Sequence, residues 1–228
     1  MKSPVAQHVI GVFAKEPRPG EVKTRLAQQT SPSLAAEVAH VCLADTLERL
    51  AVVPARRIVV YAPPSARDSF ASLAADRFEL RPQGDGDLGQ RMAAFFQEHL
   101  TQEGARVIVV GADSPTMPVE FVAQAFELLE TNDVVLGPAT DGGYYLLGCA
   151  RRVPPIFSGI TWGGAEVLAQ TIERLSDPAW RVALLPPWYD VDTLNDWHML
   201  CGHVQAMRRA GVEPRTPAVE RLVVSKLP

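Results

Sequence analysis

Short apolar runs that alternate with helical stretches constrain this chain more than any other feature. Val9–Phe13, Arg57–Tyr61, Arg106–Val110 and Asp133–Pro138 each read as a buried strand bounded by turn residues. Helical patterns fill the gaps between them. Ser31-Pro32-Ser33 is a helix start, with a hydroxyl N-cap and proline in the first turn. Leu34, Val38, Val41, Cys42, Leu47 and Leu50 then recur at helical spacing. Ser65–Ala75, Leu88–Leu100, Pro118–Glu130 and Gly163–Leu175 are further helices, and Phe78–Arg81 and Trp180–Leu185 further strands. Asp141-Gly142-Gly143 makes a turn into Tyr144–Gly148, a spacing so tight that the two flanking strands should pair antiparallel. The last strong helix spans about Thr193 to Arg209 and stops at Gly211. In the tail from Val212 to Pro228, Val219–Val224 is expected to pack on the core. The alternation predicts α/β: a single three-layer domain over residues 1–228 with a mixed, mainly parallel sheet.

Composition narrows the function classes. A hydrophobic content of 47% with 21% charged residues supplies an ordinary globular core. A formal net charge of −4 argues against nucleic acid as a partner, which needs a broad cationic surface. The 3 cysteines, Cys42, Cys149 and Cys201, lie far apart and point to a reducing compartment, without a disulfide framework or a cysteine metal site. No signal peptide and no membrane span is expected, so the expectation is a cytoplasmic protein. The 5 histidines form no ligand set, and no GxSxG is present.

The chemistry concentrates where strands end. The loop after Val9–Phe13 carries Lys15, Arg18, Lys23 and Arg25, with Gly20 among them. Cations on a loop leaving a strand suit phosphate, although neither GxxxxGK[ST] nor GxGxxG is present. The same loop also reads as a solvated basic turn. Gln83-Gly84-Asp85-Gly86-Asp87 is a glycine-rich entry to a helix N-terminus, suited either to a ligand or to a plain turn. Asp113, Asp141 and the pair Asp190/Asp192 each follow a strand. Parallel strands bring their carboxyl ends to one edge, so these acids could converge opposite the basic loop and hold Mg²⁺ or Mn²⁺ beside a phosphate. Each acid has a simpler reading: Asp113 as a turn cap, Asp141-Gly142 as a turn dipeptide, Asp192 as the N-cap of the last helix. Trp162 and Trp188 suit either stacking on a sugar or base or packing in the core.

Several stretches carry a resemblance: FAKEPRPGEVKTRL at Phe13–Leu26, QGDGDLGQRM at Gln83–Met92, GADSPTMP at Gly111–Pro118, LGPATDGGYYLLG at Leu136–Gly148 and DVDTLNDW at Asp190–Trp197. With them the chain resembles the bacterial nucleotide-diphospho-sugar transferase-like proteins, once grouped as a domain of unknown function. These are labelled glycosyltransferases of the GT-A type and are related to phospholactate and molybdenum-cofactor guanylyltransferases. The resemblance implies a Rossmann-like GT-A fold, with a nucleotide-binding half at about 1–115, an acceptor half at about 116–211 and a tail at 212–228. It implies that Lys15, Lys23 and Arg25 hold phosphates, that Gly20 allows close approach, and that Asp113 and Asp192 bind the metal. Lys23, Arg25 and Asp113 would then be the catalytic residues. Gln83, Gly86 and Asp87 would contact the nucleotide, and Asp141, Gly142, Gly143 and Trp162 the acceptor. The first loop departs from the LAGGxGxRL form of sugar-nucleotide pyrophosphorylases, so base recognition does not carry over. The leading expectation is a metal-dependent transferase that uses a nucleotide-sugar to glycosylate a small-molecule acceptor. The alternatives are a guanylyltransferase-like nucleotidyltransferase that joins a nucleoside triphosphate to a phosphorylated acceptor with release of pyrophosphate, and a non-catalytic nucleotide-binding protein. The expected partners are a nucleotide or nucleotide-sugar and the acceptor; a homodimer is left open.

Overall fold

The computed structural model describes residues 8–226, so the extreme ends of the expected 1–228 domain lie outside the described residues. Seven strands form one sheet: β1 (His8–Lys15), β2 (Arg56–Ala62), β3 (Glu79–Pro82), β4 (Arg106–Gly111), β5 (Val134–Pro138), β6 (Tyr144–Ala150) and β7 (Val182–Leu184). Their spatial order is β3-β2-β1-β4-β6-β5-β7. Pairings are parallel except at β6, which runs antiparallel to both β4 and β5. The expected α/β architecture with a mixed, mainly parallel sheet is the one observed.

Strand alternation sorts the side chains onto two faces. Ile10, Val12 and Ala14 of β1 join Val59 and Tyr61 of β2 on one face. That face is covered by α2 (Pro32–Leu50), α3 (Arg67–Ala74, preceded by a 3-10 turn at Pro64–Ala66) and α5 (Val119–Leu128). Val9, Ile58, Val60, Val107 and Val109 face the other way, against α4 (Leu88–His99) and α6 (Val167–Arg174). Gly11 lies on that second face because the Phe95 ring occupies its place: a Cβ there would fall 2.5 Å from the ring. A further cluster covers the outer side of α2 with α1 (Thr24–Gln29), α7 (Leu194–Arg209) and α8 (Pro217–Lys226).

The helix starts follow the residues expected to set them. Ser31 caps α2 by accepting from Leu34 N at 3.2 Å. Two expectations are corrected. The basic stretch is less of a loop than expected: β1 extends to Lys15, and α1 begins directly after Lys23. The helix expected from Gly163 begins at Val167, because Gly163 takes a positive φ of 82° and holds a turn. The tail, for which no element was expected, forms α8 from Pro217. The buried Asp45 carboxylate on α2 accepts from Ala218 N at 2.9 Å and Val219 N at 2.8 Å, at the start of α8. Val219 is fully buried as expected. Among the described residues no helix is long and apolar enough to cross a membrane.

Candidate active site

The strand order reverses between β1 and β4. The chain leaves β1 for β2 and β3 on one side and returns to place β4 on the other. Loops leaving the carboxyl ends of two such strands diverge and open a crevice there. Lys23 reaches this crevice from the segment after β1, and Asp113 from the loop after β4.

Lys23 is the N-cap residue of α1 and holds a left-handed backbone, φ 44° and ψ 51°. A non-glycine residue in that region carries strain that its surroundings must sustain. Here the side chain sustains it: the ammonium donates short bonds to Asp113 Oδ1 and to Val191 O, and lies 3.7 Å from Asp192 Oδ1. Its side chain is 3% exposed, against 47% for Asp113. Burial by itself depresses the ammonium. The Asp113 carboxylate, with Asp192, more than offsets it and holds Lys23 above the usual lysine range. Arg25 pairs with Asp192 Oδ2 at 2.7 Å, and Lys15 Nζ donates to Glu21 O at 2.8 Å across its own loop.

Asp190 and Asp192 arrive by a longer route than a strand end. After β7 the chain runs beside the end of β5: Leu185 N donates to Leu136 O at 2.8 Å and Trp188 N to Pro138 O at 3.0 Å. It then crosses to the β4 loop, where Val191 N donates to Asp113 O at 3.0 Å. Val191 is fully buried, while its two acidic neighbours stay partly exposed. A D-x-D spacing in an extended segment puts both carboxylates on one side. Thr193, not Asp192, caps α7, with Asp196 closing the capping box. The cap reading of Asp192 therefore gives way, and its carboxylate is left to Lys23 and Arg25.

The antiparallel β6 reverses the chain at the same edge, so the β5–β6 turn brings Asp141 there as well. Asp141 Oδ1 accepts from Gly143 N at 2.8 Å, which fixes the turn. Carboxylate oxygens of Asp141, Asp190 and Asp192 all lie within 4.8 Å of one another. Burial and then the neighbouring Asp141 and Asp192 carboxylates push Asp190 up to about 7. Asp192 is raised too, by burial first and against the pull of Lys23.

Two pockets meet at Asp113. The smaller, about 250 Å³, is lined by Lys15, Glu21, Lys23, Asp113 and Asp192, with apolar residues of β1 and α2. The larger, about 280 Å³, is walled by Asp113, Asp141, Asp190, Phe13, Tyr144 and Trp162. Leu88, Met92, Ser114 and Gly143 also line it.

Several expected site residues stand elsewhere. Gln83, Gly86 and Asp87 line neither pocket. The Asp87 carboxylate caps α4 in a capping box with Gln90. The Gln83 amide donates to Val60 O at 2.9 Å and Ala14 O at 3.2 Å, tying the ends of β1 and β2. These side chains are bound up within the fold; the Leu88 and Met92 that follow them are the pocket residues. Gly20 (φ 82°) shapes the loop without lining either pocket. Gly142 packs on backbone, since a Cβ there would fall 2.0 Å from Ala165 O. Of the expected metal pair, Asp113 accepts from the Lys23 ammonium, and Asp192, paired with Arg25, also lies beside Asp141 and Asp190.

A family model described as "Uncharacterized protein conserved in bacteria (DUF2064)" matches residues 43–164, more than half of the chain. The chain belongs to the DUF2064 family. A solved structure provisionally named a nucleotide-diphospho-sugar transferase, from Desulfovibrio desulfuricans G20, is 32% identical with a TM-score of 0.84, and the match covers 95% of each chain. The 3-phospho-D-glycerate guanylyltransferase of Phenylobacterium zucineum (strain HLK1) is 33% identical over 139 residues, or 58% of this chain. The match spans 62% of the length of that relative. A cytidylyltransferase from Leptospira borgpetersenii serovar Hardjo-bovis (strain JB197) shares the fold at 11% identity, with a TM-score of 0.58 over 97% of this chain and 95% of that one. The DUF2064 match spans the β4 loop with Asp113 and the hairpin with Asp141, whereas Lys23, Asp190 and Asp192 lie outside it. Both relatives above 30% identity bear the names of transferases, one of a guanylyl group and one provisionally of a nucleotide-diphospho-sugar.

Proposed function

We propose that this DUF2064 protein is a nucleotidyltransferase that joins a nucleoside triphosphate to a phosphorylated small-molecule acceptor and releases pyrophosphate. The observation that carries the reading is the pair of pockets meeting at Asp113, one holding Lys15 and Lys23 among acids and the other lined by acids and aromatic rings with no basic side chain. Such a pair suits two substrates that react at their common boundary. The triphosphate lies against Lys15 and Lys23, while Arg25 holds Asp192 of the same pocket. The acceptor extends into the larger pocket. An acceptor phosphate oxygen attacks the α-phosphorus, the bond to the β-phosphate oxygen breaks, and pyrophosphate leaves.

In-line transfer of this kind depends on positioning and on fixed charge. Lys23 suits the role because its ammonium is buried, stays charged and is anchored by Asp113 and Val191 O before any substrate arrives. Asp113 sets that anchor from the boundary of the two pockets. Asp141, Asp190 and Asp192 are the residues that would hold a divalent cation. Their oxygen-only donor set and mutual crowding fit a hard ion such as Mg²⁺ or Mn²⁺. When bound, such an ion supplies charge neutralisation for the phosphates.

The first test is pyrophosphate release, together with thermal shifts in the presence of Mg²⁺ for nucleoside triphosphates against nucleotide-sugars. A larger shift with triphosphates supports nucleotidyl transfer. A larger shift with nucleotide-sugars supports glycosyl transfer, the reading favoured by the name of the D. desulfuricans relative. No shift with either class refutes both.

A further inference from the structure

The larger pocket is set apart by its charge. Among the described residues lining it there is no Lys, Arg or His; the charged side chains are Asp113, Asp141 and Asp190. The lysines of the site stand on the far side of Asp113, in the smaller pocket. The Arg25 guanidinium is engaged by Asp192. Asp113 is already paired with Lys23, so the carboxylates of this pocket without a basic side-chain partner are Asp141 and Asp190. An anionic group entering past Asp141 and Asp190 meets like charge and finds no basic side chain among the lining residues to pair with. Hydroxyl groups meet the opposite situation, since each can donate to a carboxylate.

The apolar walls add a shape. Trp162 and Phe13 offer flat faces, and Leu88 and Met92 complete an apolar side. Trp162 is held by close packing: a Cβ on Gly89 would fall 2.5 Å from Trp162 Nε1 and 2.3 Å from Phe157 O. Aromatic faces beside carboxylates suit the C–H faces and hydroxyl edges of a polyol or sugar ring.

We propose that the acceptor is a phosphate monoester whose remaining part is uncharged and rich in hydroxyl groups, and that a phosphorylated carboxylic acid is rejected. This rests on the nucleotidyltransferase reading above and names the acceptor class within it. It also separates this chain from its P. zucineum relative, which is named for the phosphorylated acid 3-phospho-D-glycerate.

The test uses the full chain with Mg²⁺ and with ATP, GTP, CTP and UTP in turn, reading pyrophosphate release. The acceptors are glycerol 3-phosphate, glucose 1-phosphate and 3-phospho-D-glycerate. The first and last differ at the end remote from the phosphate, hydroxymethyl against carboxylate. The expected kcat/KM favours an uncharged acceptor by about a hundredfold, the scale of a like-charge juxtaposition. Leu88→Lys, a half-exposed position at the pocket mouth, should narrow that ratio by raising the rate with the acid and leave triphosphate binding unchanged. Equal or better turnover of 3-phospho-D-glycerate overturns this proposal and leaves the transferase reading standing. A ratio that Leu88→Lys does not move also overturns it. Absence of pyrophosphate with every acceptor refutes the transferase reading, and this proposal with it.

Discussion

The two pockets share a wall at Asp113 and one edge of one sheet, yet they differ in character: the smaller mixes Lys15 and Lys23 with Glu21, Asp113 and Asp192, whereas the larger has acids and no basic side chain. The smaller is built by the parallel half of the sheet, from the segment after β1 and the loop after β4. The larger is built where the sheet departs from parallel order, by the β5–β6 turn and the segment that crosses back from β7. A parallel switch point by itself yields an opening that loop residues such as Lys23 can line with cations. One antiparallel strand adds a hairpin at the same edge, and that hairpin brings Asp141 to the acids from the far side. The difference teaches that charge in this site is sorted by topology. The basic side chains arrive with the segment after the first strand, together with Glu21; the aspartates arrive along the later strands, and Asp113 bonds Lys23 at the boundary.

Removing the cation at the boundary should have the largest effect. Lys23→Met leaves Asp113 and Asp192 without their buried partner, which costs about 3 kcal/mol in urea unfolding, the lower end for a broken buried pair because the acids are partly exposed. Triphosphate affinity measured by calorimetry should fall by about a hundredfold, the upper scale of a lost hydrogen bond to a charged group. Stability unchanged by this substitution would mean that the two pockets do not depend on Lys23 for their common wall.

The acid side should respond in the opposite sense. Asp190→Asn removes one of three crowded carboxylates, so the metal-free protein should gain about 1–2 kcal/mol, the scale of a relieved like-charge contact near a surface. Mn²⁺ affinity should drop by about a hundredfold or more, since outer-shell partners alone are worth about 10–100-fold. Triphosphate binding without metal should stay as it was. A loss of stability instead would show that Asp190 is a structural partner and that the larger pocket is not an ion seat.

How much of this was legible beforehand follows from the range of the forces involved. The strands were legible because each is a local apolar run, and Asp113 because it directly follows the clearest of them. The Lys23–Asp113 contact spans 90 residues, so the sequence showed both partners and not their bond. Asp190 was visible only as one of several strand-end acids. Its place beside Asp141 depends on the crossing segment from Leu185 to Val191, whose hydrogen bonds go to β5 and to the β4 loop. The cap made by Asp87 and the strand-end bonds of Gln83 were not legible, because a glycine-rich helix entry looks alike whether its polar side chains face a ligand or close a cap. The helix of the tail lacked a local signal, since the side chain that caps it, Asp45, is 173 residues upstream of Ala218.

That cap gives the next effect in size. Asp45→Ala removes the acceptor for Ala218 N and Val219 N and should cost about 1–2 kcal/mol. The neighbouring Arg49 donates to Pro115 O at 2.9 Å and to Pro214 O, so the same stretch of α2 ties the tail to the loop that carries Asp113. Hydrogen exchange should therefore rise in α8 and in residues 112–117 together, while the β5–β6 turn keeps its protection. Faster exchange confined to α8 would show that the tail is not coupled to the smaller pocket.

The smallest effect isolates the larger pocket. Trp162 lines it and touches none of the cations, so its loss removes contact area without altering charge. Trp162→Ala should raise the acceptor KM by about tenfold, equivalent to about 1.4 kcal/mol of ring contact. kcat and triphosphate affinity should stay within about twofold of the parent values, since an interaction made equally in the ground and transition states changes KM alone. The outcome to look for is the split itself. If triphosphate affinity falls together with acceptor affinity, the indole is stacking on the nucleotide, and the assignment of the two pockets to two substrates must be exchanged.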